Sequence, residues 1–280
     1  LPACFQMPEM KFESMPGGGE IPLLGLGTYG MGGGMSPSYS QDEKIVHAIR
    51  TAIELGYTHI DTAEIYASGH TEELVGRAIK DINRAELLIA TKVKPANLRY
   101  QDVLAALQGS LKRLDTDYVD LYLIHWPNSS IPLEETFRAL NELVARGQVR
   151  RLGVSNFSLN ELKRARELSE TPLVTNQVPY SVYERRYVRN GVLEYCQQNG
   201  IILTAYTPIE KGRVARDAEI QAIAEKHAAT PVQVALSWLI RQPQVVAIPM
   251  STNPKHLEEN LGALDVELSE EDFERLDRLA

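Results

Sequence analysis

Three ionisable side chains in this sequence each follow a short apolar stretch. They are Asp61, Lys92 and His125. Because strand side chains alternate between two faces, Leu88 and Ala90 share the face of Lys92. An ionisable group on such a face is costly to bury without a partner. A carboxylate, a cation and an imidazole that meet at one point are suited to acid–base chemistry, so we expect the three to form one functional site.

Strands that alternate with amphipathic helices would bring these residues together. Several of the strand segments are rich in Val, Ile and Leu, which is typical of strands buried on both faces. The alternation predicts a parallel sheet, and eight strands in 280 residues predict one α/β domain over 1–280, a (β/α)8 TIM barrel with its site at the strand C-termini. The predicted strands are 21–28, 57–62, 87–93, 118–125, 149–155, 173–177, 201–206 and 245–250.

The two ends of the chain add elements to this barrel. Residues 10–22 predict an N-terminal β-hairpin that turns at three glycines, 17–19, and covers one barrel mouth. Residues 253–264 and 269–280 predict two helices after the last strand, the second being an additional C-terminal helix. Residues 1–9 begin without Met, and we expect them to be disordered or foreign to the natural chain.

Composition excludes several classes of function. The chain has 29 Lys and Arg against 37 Asp and Glu, a net charge of −8 that argues against binding nucleic acid or an anionic membrane. No apolar run is long enough to span a bilayer. Cys4 and Cys196 are the only cysteines, and no Cys/His cluster has metal-ligand spacing. We expect a cytoplasmic protein without a metal, a monomer or weak oligomer, that acts on a small molecule.

A second fold remains to be weighed, because the stretch 25–30 reads G-x-G-x-x-G directly after a strand. The dinucleotide-binding fingerprint requires a helix that opens at that turn. Here three glycines and Pro37 follow, and no helix can begin before Ser40, which forms a capping-box pattern with Glu43. A flexible loop over a barrel mouth is therefore favoured.

Six segments resemble the aldo-keto reductases. In that family an Asp ends the second strand and a Tyr follows five residues later, as Asp61 and Tyr66 do here. The resemblance runs in order from about residue 20 to 279, and it implies a (β/α)8 barrel that reduces aldehydes or ketones with NAD(P)H. The segments are GYTHIDTAEIYASGHTEELVG (56–76), IATKV (89–93), LYLIHWP (121–127), GVSNF (153–157), TNQVPYS (175–181) and AYTP (205–208).

The resemblance implies a role for each polar residue at the site. Tyr66 would be the general acid that protonates the carbonyl oxygen, and the cofactor would carry the hydride. A free tyrosine has a pKa near 10, which Lys92 would lower, while Asp61 would position Lys92. His125 would donate or relay a hydrogen bond to the substrate oxygen. The substrate pocket would be formed by Tyr29, Tyr66, His125 and Trp126.

The resemblance also implies a cofactor site. Ser155, Asn156 and Gln177 would hold the nicotinamide carboxamide, and Tyr206 would stack on its ring. The remaining expected cofactor contacts are Thr28, Thr207, Pro208, Ile209, Gly212, Arg213, Ile248, Met250, Ser251, Thr252, Asn253, His256, Glu259 and Asn260.

Two positions depart from the family pattern. Met250 stands where a Lys commonly grips the 2′-phosphate of NADP, and His256 stands where an Arg does. A guanidinium binds phosphate bidentately, which neither a thioether nor a mostly neutral imidazole reproduces. We therefore expect only a modest preference for NADP(H), with NAD(H) also usable.

The other histidines carry no such pattern. His59 shares its face with Asp61, and we expect a hydrogen-bonded barrel residue without a catalytic role. His47, His70 and His227 fall on helix or loop segments, where we expect them to be solvated.

Two alternative functions stay open at this point. A barrel aldolase could use Lys92 as a Schiff base, although a nearby Asp61 would keep that lysine charged. A non-catalytic regulatory subunit could use the same fold, because fold does not fix function.

Overall fold

The computed structural model describes residues 8–280. The expectations for residues 1–7, Cys4 included, lie outside this range. Within residues 8–280, ten strands form a two-stranded hairpin and an eight-stranded sheet. The strands are β1 (Phe12–Ser14), β2 (Glu20–Pro22), β3 (Leu26–Gly27), β4 (His59–Asp61), β5 (Leu88–Val93), β6 (Val119–Ile124), β7 (Val149–Ser155), β8 (Leu173–Pro179), β9 (Ile202–Tyr206) and β10 (Val245–Ala247).

The eight strands β3 to β10 pair in chain order, and every pair is parallel. The backbone N–H of Gly25 donates to the carbonyl of Ala247 at 2.9 Å, and the N–H of Ala247 donates to Leu23 at 2.9 Å. These bonds join the first strand region to the last and close the barrel, so the predicted (β/α)8 fold is confirmed. The predicted strand 21–28 is in fact two elements, because the chain leaves the hairpin after Pro22 before it enters the barrel at Leu26.

Helices connect the strands on the outside of the barrel. The dinucleotide-fingerprint alternative is wrong, because a loop follows β3 and the first helix begins only at Asp42. The capping box predicted there is also wrong, since Gln41 precedes the helix and makes no side-chain cap. Within residues 8–280 no helix is long and apolar enough to cross a bilayer. The helices are α1 (Asp42–Glu54), α2 (His70–Ile79), α3 (Tyr100–Leu114), α4 (Leu133–Ala145), α5 (Leu159–Leu168), α6 (Arg186–Arg189), α7 (Val192–Gln198), α8 (Ala218–Lys226), α9 (Pro231–Ile240), α10 (Pro254–Leu261) and α11 (Glu270–Asp277).

The predicted hairpin closes the N-terminal mouth of the barrel. Its strands β1 and β2 pair antiparallel, and the turn contains three glycines with positive φ. Met15 and Ile21 of the hairpin join a small apolar cluster inside the barrel, packed on side chains from five strands. The lower interior is therefore filled, and polar residues are left to the opposite mouth. The strand residues of this cluster are Ala90, Leu121, Leu123, Val174, Ile202 and Val246.

The C-terminal helix α11 is fastened by a buried carboxylate. Asp272 is fully buried and accepts bonds from Lys226 Nζ at 2.7 Å and Ser269 Oγ at 2.7 Å. It also contacts His227 Nε2 at 2.8 Å, so the expectation that His227 is solvated is wrong. Although burial opposes ionisation, the bonds from Lys226, His227 and Ser269 hold the pKa of Asp272 well below its usual value.

Replacing Asp272 with Asn should destabilise the protein. Lys226 and His227 would lose their acceptor charge, and we expect the free energy of unfolding to fall by about 1–3 kcal/mol in urea titrations followed by circular dichroism. Because the folded pKa is depressed, this stabilisation is present above the ordinary aspartate pKa and fades as pH falls below it. The exposed neighbour Glu271→Gln is the control. Equal stability of the two variants would contradict the assignment.

Candidate functional site

A buried ion pair lies at the C-terminal ends of β4 and β5. Lys92 Nζ donates to Asp61 Oδ1 at 2.6 Å, to the Thr62 carbonyl at 2.8 Å and to Tyr66 Oη at 3.4 Å. These three acceptors account for the three hydrogens of the ammonium. Burial lowers the pKa of Lys92, but Asp61 and Tyr66 outweigh burial and the net pKa is raised. Lys92 is therefore a charged ammonium at neutral pH.

Two residues that face the barrel mouth hold Asp61. Gln177 Nε2 on β8 donates to Asp61 Oδ2 at 2.8 Å, and Thr28 Oγ1 donates to the Asp61 carbonyl at 2.8 Å. The sequence assigned both residues to the cofactor and gave no sign of these bonds. The only signal was their position at strand ends that meet at the same mouth. Both carboxylate oxygens of Asp61 are thus engaged, one by Lys92 and one by Gln177.

Tyr66 begins a tight turn, Tyr66–Gly69, in which Ala67 and Ser68 are left-handed, and it reaches the mouth from outside the strands. Its ring packs edge-on against Tyr29 and His125, with centroids 5.2 and 5.5 Å away. Burial raises the pKa of Tyr66 and Lys92 lowers it, and burial prevails. The expectation of a lowered pKa is therefore wrong in net direction, although the effect of Lys92 has the expected sign. Tyr66 is protonated at neutral pH.

The imidazole of His125 follows β6 and is neutral. Burial lowers its pKa to about 3, with Lys92 contributing in the same direction. Its Nδ1 is buried and has no hydrogen-bond partner within residues 8–280. One layer below, His59 is also buried and neutral, because burial lowers its pKa to about 4. Neither ring nitrogen of His59 has a partner in the described chain, so the expected hydrogen-bonded role for His59 is wrong.

A cluster of amides and hydroxyls lies at the ends of β7, β8 and β9. Ser155 Oγ donates to the Gln177 carbonyl at 2.8 Å, and Asn156 Nδ2 donates to Ser155 Oγ at 3.0 Å and to the His125 carbonyl at 3.1 Å. Tyr206 Oη donates to Asn156 Oδ1 at 2.8 Å. Asn156 itself has φ +63°, a left-handed conformation that Asn tolerates better than most residues.

The chemistry of this cluster fits a nicotinamide carboxamide. Gln177 uses one of its two amide hydrogens on Asp61, which leaves the second hydrogen and the amide oxygen, while Asn156 Oδ1 retains a lone pair. A carboxamide needs both an acceptor and a donor, and this pair of amides offers both. Tyr206, held at its hydroxyl, presents a fixed ring beside them.

The other expected cofactor residues lie on two loops at the same mouth. The loop after β9 contains left-handed residues at Thr207, Glu210 and Lys211, and the Arg213 guanidinium stacks on the Tyr183 ring at 3.8 Å. The N–H of Gly27 donates to the Pro249 carbonyl at 3.1 Å, and this bond joins β3 to the segment after β10. The loop residues are Thr207, Pro208, Ile209, Gly212 and Arg213 after β9, and Ile248, Met250, Ser251, Thr252 and Asn253 after β10.

The start of α10 carries the residues expected near a phosphate. The Asn253 side chain caps the helix by accepting from Lys255 N–H at 3.0 Å, and Ser251 Oγ accepts from Asn253 N–H at 3.0 Å. Lys255 and His256 are exposed, and Met250 is half-exposed. Further along α10, Glu259 is partly exposed and Asn260 is buried beside Tyr57. Asn260 therefore has a structural partner in addition to its expected cofactor role.

Two aromatic side chains flank the ionisable residues. Tyr29 and Trp126 are both about half exposed, one against Tyr66 and the other directly after His125. They give the mouth apolar walls around a polar centre. Among residues 8–280, no three His, Cys, Asp or Glu side chains are grouped as metal ligands.

Comparison with known proteins agrees with this geometry. The Aldo/keto reductase family profile matches residues 23–280. Methylglyoxal reductase YeaE of Escherichia coli is 37% identical, covering 96% of this chain and 95% of its own length. Glyoxal reductase of Bacillus subtilis is 37% identical, covering 94% and 90% respectively.

Solved structures give the same result. The thermostable aldo-keto reductase Tm1743, in complex with epalrestat, has a TM-score of 0.94 and 50% identity, covering 97% of this chain and 100% of that chain. An aldo/keto reductase from Klebsiella pneumoniae, in complex with NADP and acetate, has a TM-score of 0.87 and 37% identity, covering 97% and 95%. The chain therefore belongs to the aldo/keto reductase family and is an NAD(P)H-dependent carbonyl reductase.

Proposed function

We propose that the chain reduces small aldehydes and dicarbonyls of the methylglyoxal class, with Tyr66 as the general acid. The observation that carries this proposal is the array in which Lys92 Nζ binds both Asp61 Oδ1, at 2.6 Å, and Tyr66 Oη, at 3.4 Å. The substrate class is supported by the relatives named methylglyoxal and glyoxal reductases. We further propose that one barrel domain suffices for catalysis, as a monomer or weak oligomer.

In the proposed reaction, the protein's own residues transfer one proton, which comes from Tyr66 Oη. A bound nicotinamide cofactor would supply the hydride for the carbonyl carbon. Tyr66, protonated because burial keeps its pKa high, donates the proton from Oη to the carbonyl oxygen. Lys92 stabilises the phenolate that remains, and Asp61 keeps Lys92 charged and in place. These are positions where charge develops, so fixed partners there stabilise the transition state.

Substrate binding falls to neutral groups. His125 is uncharged because burial and Lys92 lower its pKa to about 3, so it orients the carbonyl oxygen through a hydrogen bond without competing for the proton. Tyr29 and Trp126 supply apolar walls. A small dicarbonyl needs only such walls and one polar centre, which supports the proposed substrate class.

The cofactor is held at two places. Ser155, Asn156 and Gln177 would hold the carboxamide, with Tyr206 beside its ring, because Gln177 keeps one amide hydrogen and its oxygen and Asn156 Oδ1 keeps a lone pair. The exposed start of α10, with Ser251 and Asn253 beside it, supports the phosphate end, because a helix N-terminus favours anions. Met250 and His256 lack the fixed charges of a Lys and an Arg, so we propose a modest NADP(H) preference with NAD(H) accepted.

The aldolase and regulatory alternatives find less support. A Schiff-base lysine must lose its proton, whereas Asp61 holds Lys92 as an ammonium. A regulatory subunit would not need the complete array of Asp61, Tyr66, Lys92 and His125 around one mouth. The charged state of Lys92 and the complete set of four residues both favour a reductase.

Replacing Tyr66 with Phe should abolish reduction and leave cofactor binding nearly unchanged, because only the proton donor is removed. We expect kcat with methylglyoxal to fall by about 100- to 10,000-fold. NADPH oxidation at the nicotinamide absorbance band and NADPH binding by fluorescence are the measurements. Tyr195→Phe on the distant α7 is the matched control. A Tyr66→Phe enzyme with half of the original kcat would remove Tyr66 from the mechanism.

Lys92 should act as a fixed charge and never as a nucleophile. Lys92→Arg keeps the charge next to Asp61, so we expect a folded protein that binds NADPH but turns over at least about 10-fold more slowly, because the larger guanidinium displaces Tyr66. Unfolding curves establish that the variant folds. Borohydride treatment of the wild-type protein with substrate should leave Lys92 unmodified by mass spectrometry. A trapped adduct on Lys92 would favour the aldolase.

The double change Met250→Lys and His256→Arg should raise selectivity for NADPH. Charge-assisted hydrogen bonds contribute roughly 1.5–3 kcal/mol each, so we expect the NADPH/NADH ratio of kcat/KM to rise at least about 10-fold, with NADH little changed. Met35→Lys, which adds a cation at another exposed methionine, is the control. An equal gain for both cofactors would mean that these positions do not face the 2′-phosphate.

A further inference from the structure

The loop between β3 and α1, residues 28–41, is tied to α2 through a histidine that the proposed chemistry does not use. His70, the first residue of α2, is only 7% exposed, so the expectation that it is solvated is wrong. Its Nε2 lies 2.9 Å from Asp42 Oδ1, and its Nδ1 lies 2.9 Å from Glu73 Oε2. Asp42 begins α1 directly after the loop. His70 thus joins the end of the loop to the start of α2.

The two bonds define the protonation state of His70. An ionised carboxylate only accepts hydrogen bonds, and a neutral imidazole has a single N–H, so His70 can bind Asp42 and Glu73 together only as an imidazolium. Burial lowers the pKa of His70, but Glu73 and Asp42 outweigh it, and the net pKa is raised. Other charged groups also lie at this junction. Arg77 is 3.7 Å from Asp42 Oδ2 and paired with Glu43, and Arg113 of α3 packs against Gly69 and pairs with Glu72.

His70 lies beside the strained turn that carries Tyr66. Three consecutive residues after Tyr66 are left-handed: Ala67 at φ +48°, Ser68 at +55° and Gly69 at +97°. Such a conformation costs a non-glycine residue about 1–2 kcal/mol and persists only where surrounding contacts hold it. The loop supplies those contacts.

The loop supports the turn through its backbone carbonyls. Gly34 accepts from Ala67 N–H at 2.7 Å, and Met35 accepts from Ser68 Oγ at 2.9 Å. At the start of α2, Thr71 Oγ1 donates to the Met31 carbonyl at 2.7 Å. Two hydrogen bonds therefore join the loop to the turn that carries Tyr66, and a third joins the loop to the start of α2.

The ring of His70 packs against the same loop. A Cβ added to Gly32 would lie 3.0 Å from His70 Cδ2, so the loop backbone there packs closely against the imidazole. The Tyr39 ring covers the imidazole from the other end of the loop, with centroids 4.5 Å apart. His70 thus holds both the middle and the end of the loop.

We propose that His70 is a positioning residue: as an imidazolium between Asp42 and Glu73, it holds loop 28–41 against the left-handed turn and so fixes the Tyr66 hydroxyl beside Lys92. This inference rests on the proposed role of Tyr66. The imidazolium bonds are present at low pH and are lost as pH rises through the raised pKa of His70, above the ordinary histidine value of about 6.5.

His70→Gln should lower kcat by about 10- to 100-fold, because misplacing a reacting group by 1 Å has an effect of that order. The NADPH dissociation constant should change far less than kcat, because the carboxamide cluster lies at the ends of β7, β8 and β9 whereas His70 lies on α2. His227→Gln is the matched control, because it also removes a largely buried imidazole that is paired with a carboxylate, but His227 lies at the C-terminal end of α8. If both variants lose kcat in proportion to their loss of melting temperature, His70 has only a structural role.

Glu73→Gln tests the charge without disturbing the core, because Glu73 is 53% exposed. Removing one of the two carboxylates should lower the pKa of His70, measured by NMR titration, and move the alkaline fall of kcat to lower pH by the same amount. In His70→Gln the fall caused by His70 should be absent. Only the fall of kcat caused by ionisation of Tyr66, at higher pH, should remain. An alkaline limb that stays in place in both variants would overturn the proposal.

Hydrogen exchange at the Ala67 amide provides a readout independent of activity. This amide should be protected in the wild-type protein at low pH, lose protection above the pKa of His70, and be unprotected at all pH values in His70→Gln. If the wild-type enzyme reduces no carbonyl yet shows this exchange pattern, the positioning contact stands and the proposed function fails. If reduction is normal but the Ala67 amide exchanges at the same rate in the wild type and in His70→Gln, the positioning role is wrong and the proposed function stands.

Discussion

The buried pair of Lys92 and Asp61 is the interaction on which the site depends. An isolated ammonium inside a barrel would carry a desolvation cost of several kcal/mol, which a carboxylate repays only with good geometry and further hydrogen bonds. The pair meets that condition, because Lys92 Nζ has three acceptors and Asp61 Oδ2 accepts a hydrogen bond from Gln177 Nε2. Strands β4, β5 and β8 must therefore end at matching heights. The ion pair of the site therefore depends directly on the register of the barrel strands.

The barrel separates this polar end from an apolar end. Leu121, Leu123 and their neighbours fill the lower interior, and the hairpin residues Met15 and Ile21 close it. Water is thereby excluded from below, which strengthens every electrostatic interaction at the mouth above. Burial in the same interior also keeps the ring of His59 neutral, because burial lowers its pKa to about 4.

The sequence predicted what depends on local pattern and failed where distant segments meet. Apolar periodicity located eight strands and placed Asp61 and Lys92 at one mouth, because those signals lie within a few residues. The bond from Gln177 to Asp61 spans 116 positions, and the contacts of His70 depend on left-handed turns that no propensity marks. The predicted direction of the pKa shift of Tyr66 was also wrong, because the sequence around Tyr66 does not show how deeply its side chain is buried.

Burial has different consequences for Tyr66, His125 and Lys92, and this difference organises the chemistry. It keeps Tyr66 protonated and His125 neutral, whereas Asp61 and Tyr66 outweigh the effect of burial on Lys92 and keep the lysine charged. The resting site thus holds a charged lysine and two neutral groups, Tyr66 and His125, that can form hydrogen bonds. When Tyr66 gives up its proton, one negative charge appears 3.4 Å from the ammonium of Lys92, which is already oriented by Asp61. Because that ammonium needs no reorganisation at the moment of transfer, its stabilisation acts on the transition state more than on the ground state.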